Sequence, residues 1–291
     1  MENITEIIFD KLVYSCAFES YRGHEEFIPD HFLGFQISGE THAFHEHGKT
    51  VIKQNTVVLV RKNQLIRTVK YPSAKEKYQF VSITLDDETL RQYAAENKIK
   101  VQTEFPGDQR LFFEPDDFFK SYFASLIPYI NKTKEIPPKL AILKVKEAIE
   151  LLLLSNPDFK NLLFDFSEPH KIDLEEFMNR NFMFNVSVDT FAKLTGRSLS
   201  GFKRDFSKTF RMTPKQWLKE KRLKEAYYLI KNSDKRPSDI YLDLGFENLS
   251  HFYSSFKKKF GMTTTTIKKH NFKINTKAQE LNLVPLQFQK L

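Results

Sequence analysis

The sequence of 291 residues contains little of what several large classes of protein require. Its one cysteine, Cys16, excludes an internal disulfide and makes a reducing cytosol the expected compartment. None of its nine glycines belongs to a glycine-rich phosphate loop. No apolar run is long enough to cross a bilayer, and no signal-like segment follows the start. Serine, histidine and aspartate form no recognisable catalytic pattern. We therefore expect a cytoplasmic protein with no membrane attachment, no enzyme activity and no cofactor.

Positive charge is abundant and unevenly distributed. The net charge is +8, but residues 186–270 alone carry +11 and residues 271–291 carry +2, so the remaining 185 residues carry −5. The length also favours two domains, each large enough for a core of its own. A basic C-terminal part joined to a mildly acidic part is typical of a nucleic-acid-binding domain attached to a different kind of domain.

One pattern occurs twice within residues 186–270. Three phenylalanines spaced by four residues are followed by Met-Thr in both copies, and such spacing places the rings on one face of a helix. An internal repeat indicates a repeated supersecondary unit. The first copy contains Phe202, Phe206, Phe210, Met212 and Thr213, and fifty positions later the second contains Phe252, Phe256, Phe260, Met262 and Thr263.

A short helix and a tight turn are predicted before each phenylalanine stripe. The short helices span 187–193 and 237–242, and the turns contain Gly196 and Gly245, which tolerate a positive φ. A helix, a glycine turn and a basic second helix form a helix-turn-helix unit, whose second helix enters the major groove of DNA. The alternative is a helical hairpin in an ordinary bundle.

This region resembles the double helix-turn-helix domain of the AraC/XylS family of bacterial transcription regulators. The resemblance covers about the last third of the chain. Tyr241, Thr264 and Arg211 depart from the family pattern, which usually has alanine, proline and glycine there. The residues that carry the resemblance are Ala192, Gly196, Phe206, Phe210, Met212-Thr213-Pro214, Arg222-Leu223, Ala226, Ile240, Gly245-Phe246, Phe252, Phe256-Lys257 and Phe260-Gly261.

The N-terminal part is predicted to be mostly strand. Short runs rich in β-branched and aromatic residues, separated by turn signals, are typical of a small barrel or jelly roll. The family often carries a cupin-like barrel here, so the resemblance implies an α+β protein with an N-terminal cupin-like β-barrel and a C-terminal all-α double helix-turn-helix domain. The predicted strands are 5–9, 12–18, 32–37, 51–52, 56–60, 66–69 and 80–85.

His45 and His47 are the candidate metal ligands. Alternation along a strand would place both imidazoles on one face, as a chelate needs, and Gly39 stands where metal-binding cupins carry glycine. The expected carboxylate is missing, because Val51 and Ile52 occupy its position. Two ligands make a weak site, and the alternative is a pair of exposed hairpin histidines.

Helices are predicted after residue 85, at 86–97, 115–130 and 137–154. The last has more apolar positions than one face needs, which suggests either complete burial or a homodimer contact; the family commonly places a dimerisation helix there. A lead-in helix at 173–184 and a long helix at 214–230 are expected in the C-terminal part. The predicted domains are a cupin-like sensor and dimerisation domain (1–155), a linker (156–172), the double helix-turn-helix domain (173–270) and a tail (271–291).

The stripe must face the core, so the opposite face of each second helix is available to DNA. Arginine and lysine can donate to guanine O6 and N7, which makes the first unit the better candidate for sequence discrimination. The predicted base contacts are Ser200, Lys203, Arg204 and Ser207 in the first unit and Ser250, His251, Tyr253 and Ser254 in the second. The predicted phosphate contacts are Lys208, Lys257, Lys258 and Lys259.

The sequence therefore predicts a regulator that binds double-stranded promoter DNA through two successive major-groove segments. The resemblance implies an activator that contacts RNA polymerase and responds to a small-molecule or protein effector. Two alternatives remain: a metal-dependent cupin enzyme fused to a DNA-binding domain, and a nucleoid protein with little sequence preference.

Overall fold

The structure is a computed structural model that describes residues 4–9, 11–23, 27–101, 105, 107, 110–130, 136–167, 169–233 and 235–267. The chain divides into two compact units, 1–168 and 169–291. The predicted tail, 271–291, lies outside the described residues.

The first unit contains short strands and a few helices. Among its described residues the strands are β1 Ile4–Phe9, β2 Leu12–Ala17, β3 Tyr21–Arg22, β4 Phe27–Ile28, β5 His31–Ser38, β6 Glu40–His45, β7 Gly48–Ile52, β8 Thr56–Val60, β9 Gln64–Leu65, β10 Arg67–Tyr71, β11 Tyr78–Leu85 and β12 Arg110–Phe113. The helices are α1 Asp87–Glu96, α2 Asp117–Pro128, α3 Pro138–Ser155 and α4 Phe159–Leu163.

The strands form antiparallel sheets. The larger has the order β1-β2-β11-β5-β8-β12 and the smaller β3-β10-β6-β7, while β4 pairs with β9. Strand β8 is the clearest example of a strand covered on both faces. Val57 and Leu59 belong to a core shared with the helices, whereas Val58 and Val60 belong to a second core that includes Ala43 of the smaller sheet. Because successive side chains point to opposite faces, one strand serves both cores.

The described part of the second unit contains only helices. Their bounds are α5 Leu174–Asn181, α6 Val188–Leu194, α7 Leu199–Phe210, α8 Pro214–Asn232, α9 Pro237–Ile240 and α10 Leu249–Phe260. The predicted α+β class, with a β-rich N-terminal part and a helical C-terminal part, is confirmed. No helix in the described ranges combines the length and the apolar character that crossing a membrane requires.

The structure differs from the predicted linker at its beginning. Residues 159–163 form α4, and Phe159, Leu162 and Leu163 are buried in the core of the first unit. Asn156-Pro157 ends α3 as expected. The chain then folds back, because the apolar residues that follow are stabilised by burial in the core. The N-terminal unit therefore continues beyond the predicted boundary at residue 155.

Candidate DNA-binding surface

The first helix-turn-helix unit consists of α6, the turn 195–198 and α7. Gly196 has a φ of 63°, and a Cβ there would lie 2.4 Å from the carbonyl oxygen of Pro169. Glycine is thus required both for the backbone angle and for the close approach. The hydroxyl of Ser198 then caps α7 by accepting from the N–H of Gly201 at 3.2 Å. The turn and the start of α7 are fixed by local chemistry.

The second unit repeats this arrangement with α9, the turn 241–248 and α10. Gly245 has a φ of 77°, and the side chain of Asn248 caps α10 by accepting from the N–H groups of Ser250 and His251. The cap residue follows the glycine by three positions here and by two in the first unit. The two units therefore share a left-handed glycine and a side-chain cap, but the spacing from the glycine to the cap differs by one residue.

The phenylalanine stripes face the interior, as predicted. Phe202 and Phe206 of α7, and Phe252 and Phe256 of α10, have no exposed surface. Burying a phenylalanine contributes roughly 1.5–3 kcal/mol. These rings hold each second helix to its unit and leave the opposite face of the helix to solvent.

Helix α8 supports the end of each stripe. The ring of Phe210 packs on Trp217 with centroids 4.7 Å apart, and the ring of Phe260 packs on Tyr227 at 4.9 Å. Both partners belong to α8, ten residues apart. One rigid helix thus contacts both second helices and sets the distance between them.

The side chains predicted to contact bases are on the exposed face of each second helix. Their role in base contact stays a prediction, since the DNA is not part of the structure. Ser200, Lys203, Arg204, Ser207, Ser250, His251, Tyr253 and Ser254 are all exposed.

Arg204 is a highly exposed donor of the first unit. Its side chain is 79% exposed, and its guanidinium lies 3.5 Å from a carboxylate oxygen of Asp205. The main partner of Asp205 is Arg197, which donates at 3.2 Å and holds the pKa of that carboxyl below its usual range, with Lys171 adding to the effect. Arg197 also donates to the carbonyls of Thr195 and Ile172. The sequence did not predict these contacts of Arg197 between the turn and α7, because one of their partners lies twenty-five residues away along the chain.

The predicted phosphate contacts divide into two groups. Lys208, Lys257 and Lys258 are exposed in the last turns of α7 and α10. Lys259 is half-buried and lies 3.0 Å from a carboxylate oxygen of Glu220. Because this ion pair neutralises part of its charge, Lys259 is a weaker candidate than the other three.

The expectation that His45 and His47 lie on one face of a strand is wrong. Strand β6 ends at His45, and His47 lies in the turn that follows. The Nδ1 of His45 accepts from the backbone N–H of His47 at 3.2 Å, and its Nε2 lies 3.0 Å from the hydroxyl of Thr50. Within the described ranges, no three or more histidine, cysteine, aspartate or glutamate side chains are grouped to hold a metal ion.

The N-terminal unit contains a buried polar cluster that the sequence reasoning did not find. Lys70 on β10 is 9% exposed, and its ammonium donates to the hydroxyls of Ser15 and Tyr21 at 3.0 and 2.9 Å. Its Nζ also lies 4.8 Å from the centre of the Tyr21 ring. The interior is therefore polar at this end of the sheets, although the strand pattern around Lys70 is that of an ordinary half-buried strand.

His31, on β5, is a buried titratable group whose pKa is strongly shifted. It is fully buried, its Nδ1 accepts from the backbone N–H of Lys62 at 3.3 Å, and its Nε2 has no partner among the described residues. Burial, together with the charges of Lys62 and Arg61, lowers its pKa from 6.5 to about 3. His31 is therefore neutral at physiological pH.

Two family models match the chain on either side of the division between the units. A helix-turn-helix domain matches residues 191–270, and the ExsA N-terminal regulatory domain matches residues 31–164. Both matches are to domains of AraC-family transcription regulators. The resemblance that the phenylalanine stripes and glycine turns carry is thereby confirmed.

Among curated proteins, the chain is similar to the HTH-type transcriptional regulator ExsA of Pseudomonas aeruginosa. The two are 32% identical over 131 residues, which cover 44% of this chain and 47% of ExsA. The virulence regulon transcriptional activator VirF of Yersinia enterocolitica is 28% identical over 136 residues, covering 46% of this chain and 50% of VirF. The chain thus spans about half the length of the curated relatives it matches.

Among solved structures, apo ToxT K231A from Vibrio cholerae aligns with 92% of this chain and 96% of its own, at 12% identity and a TM-score of 0.41.

Proposed function

We propose that this AraC/XylS-family chain is a sequence-specific, DNA-binding transcription regulator that acts in the cytoplasm. It binds promoter DNA through two successive major-groove segments and activates transcription from that promoter. The N-terminal unit regulates this activity.

One observation carries the proposal: two units in a single helical domain present their second helices in the same way. Each second helix follows a left-handed glycine, begins at a side-chain cap and buries its phenylalanines. Each therefore leaves a polar face to solvent, which is the face that a recognition helix presents to base edges. The net charge of +11 over residues 186–270 supplies the attraction to phosphate.

The exposed faces of the two second helices differ in chemistry, which supports different roles for the two units in binding DNA. Lys203 and Arg204 in the first unit carry donors that suit guanine O6 and N7. The second unit has Tyr253 and Ser254 at the corresponding positions, and its Tyr253 and His251 suit a thymine methyl group or a phosphate. We expect the first unit to supply most of the base discrimination and the second unit to supply affinity and register.

Regulation and activation are supported by the names of the relatives. The match over residues 31–164 is to a regulatory domain, and VirF is named a transcriptional activator. We propose that a small-molecule or protein effector acts on the N-terminal unit and that the DNA-bound protein contacts RNA polymerase.

Helix α3 is proposed as a contact between two copies of the chain. Leu143 and Leu154 are 58% and 69% exposed, and Leu140 is 38% exposed. Leucines that point outward from a helix otherwise packed into its own core are well placed for a symmetric dimer contact.

Leu143→Glu together with Leu154→Glu should shift the full chain from dimer to monomer in sedimentation at micromolar concentration. Tyr228→Glu, which removes an equally exposed side chain from α8, should leave the dimer intact.

The proposed function is tested by selecting bound duplexes from a random pool with the full chain. Recovery of an extended site with two preferred blocks, about one helical turn apart, would support a specific regulator. Recovery of no motif, with binding that disappears steeply as salt rises, would contradict it and would favour a nucleoid protein.

A further inference from the structure

Arg222 lies in the middle of α8 and makes three hydrogen bonds to backbone carbonyls of other segments. Its Nε donates to the carbonyl of Phe182, its Nη2 to that of Phe184 and its Nη1 to that of Gly245, each at 2.8 Å. Phe182 and Phe184 lie in the connection between α5 and α6, which leads into the first unit. Gly245 lies in the turn that precedes the second recognition helix, α10. One guanidinium thus joins the entrance of the first unit to the turn of the second.

The geometry of this contact requires both residues. A Cβ at Gly245 would lie 2.7 Å from the Cζ of Arg222, so the turn can approach the guanidinium only without a side chain. A guanidinium is planar and carries donors on several edges, whereas a lysine ammonium is a single point of charge. Lysine at position 222 would keep the charge but could not reach all three carbonyls, which belong to two separate segments.

Neighbouring contacts fasten the same two segments. Lys221 donates to the side-chain oxygen of Asn179 on α5 at 2.8 Å, and its ammonium lies 5.5 Å from the centre of the Phe182 ring. Asn185, just before α6, donates to the carboxylate of Glu247 at 2.8 Å. Cations near the C-terminal end of α5 are also stabilised by its dipole. The contacts of Arg222 therefore lie at the centre of a larger group of contacts, and one of them links α8 to the turn of the second unit.

We propose that Arg222 is a positioning residue that sets the separation and rotation of the two recognition helices, and thereby the spacing between the two DNA blocks that the protein accepts. It contacts no base in this role. The inference rests on the proposed function, because spacing has meaning only for a protein that binds two blocks at once. One base pair of spacer corresponds to roughly 3.4 Å and 34° along the duplex, so a rigid junction should discriminate strongly between spacings.

The test measures the affinity of the full chain for the selected two-block site with the spacer shortened or lengthened by one base pair. The unaltered chain should lose at least about tenfold in affinity at either changed spacing. Arg222→Lys should bind the optimal site about tenfold more weakly, and it should lose less than about threefold between spacings, because a looser junction adapts to each. Lys224→Ala, which removes an exposed charge from the same helix, should keep the sharp spacing preference.

An equal loss for Arg222→Lys at every spacing would overturn the inference and leave Arg222 with a purely stabilising role. A DNA-free measurement separates this outcome from failure of the proposed function. Spin labels at Lys208→Cys and Lys258→Cys, in a Cys16→Ala background, report the distance between the two recognition helices. Arg222→Lys should broaden that distance distribution. An unchanged distribution would overturn the inference whether or not the chain binds a two-block site.

Discussion

Two glycines of the DNA-binding unit have nearly the same backbone angle in different surroundings, which makes them a matched pair. Gly196 has a φ of 63° and Gly261 a φ of 69°. A Cβ at Gly261 would meet nothing within 4 Å, whereas a Cβ at Gly196 would lie 2.4 Å from the Pro169 oxygen and 2.5 Å from the His170 oxygen. Gly261→Ala therefore tests the backbone angle alone, whereas Gly196→Ala tests the backbone angle together with the close approach.

The expected losses of stability follow from these surroundings. A left-handed backbone costs a non-glycine residue roughly 1–2 kcal/mol, and alanine regains roughly 0.4–1 kcal/mol through a less flexible unfolded chain. Gly261→Ala should therefore lower the free energy of unfolding by about 1 kcal/mol. Gly196→Ala must also move a backbone segment away from its Cβ, so the total should be about 3 kcal/mol.

The assay uses urea unfolding followed by the fluorescence of Trp217, the single tryptophan of the chain. Trp217 packs on Phe206 and Phe210, so its signal reports the DNA-binding unit. A difference of about 2 kcal/mol between the variants separates their midpoints by roughly 1–2 M urea. Equal midpoints would refute the close approach at the first turn, and an unchanged midpoint for Gly261→Ala would refute the left-handed cap.

The other predictions concern DNA contact, acid stability and a helix end. Arg204→Ala should cost about 1–3 kcal/mol of binding free energy on the selected site and relax the preference at one base position, whereas Lys258→Ala should weaken binding to all sequences alike and reduce the slope of log affinity against log salt by about 1. Equal losses of affinity for Arg204→Ala on specific and random DNA, measured by fluorescence anisotropy, would contradict this difference between the two residues. His31 stays neutral on folding because its pKa falls from 6.5 to about 3, while the unfolded chain takes up a proton below pH 6.5. The free energy of unfolding should therefore fall by about 1.4 kcal/mol between pH 7.5 and 5.5 through this group, and denaturant titrations of His31→Phe should show that fall removed. Arg211 has the left-handed backbone conformation at the end of α7 that Gly261 has at the end of α10. Arg211→Gly should therefore raise the free energy of unfolding by about 1 kcal/mol. A decrease would show that the arginine side chain stabilises the helix end.

Local patterns predicted much of the DNA-binding unit. Phe202, Phe206, Phe252 and Phe256 are buried because a spacing of four residues places them on one helical face, whatever the rest of the chain does. The turn glycines were predictable for a similar reason, since a positive φ restricts the choice of residue. The starts of α6, α7, α8 and α10 each follow a side-chain cap, but α5 and α9 end before the predicted residues 184 and 242.

What the sequence did not reveal depends on contacts between distant segments. Helix α4 was missed because Asn156-Pro157 marks the end of a helix, and nothing local shows that Phe159 and Leu162 return to the core. His45 and His47 were predicted to lie on one strand because alternation alone does not show at which residue that strand ends. The three bonds of Arg222 span from twenty-three to forty residues, and no local pattern encodes such a set.

The most direct test of the central claim compares the affinity of the full chain for three duplexes at two salt concentrations: the selected two-block site, the same site with one block scrambled, and a fully scrambled duplex. We predict that the two-block site binds at least about a thousandfold more tightly than the scrambled duplex, that the half-scrambled site lies between them, and that the ratios persist when salt rises. Equal affinities that fall together with salt would show that only the positive charge of the domain contacts DNA, and they would contradict sequence-specific binding by two recognition helices.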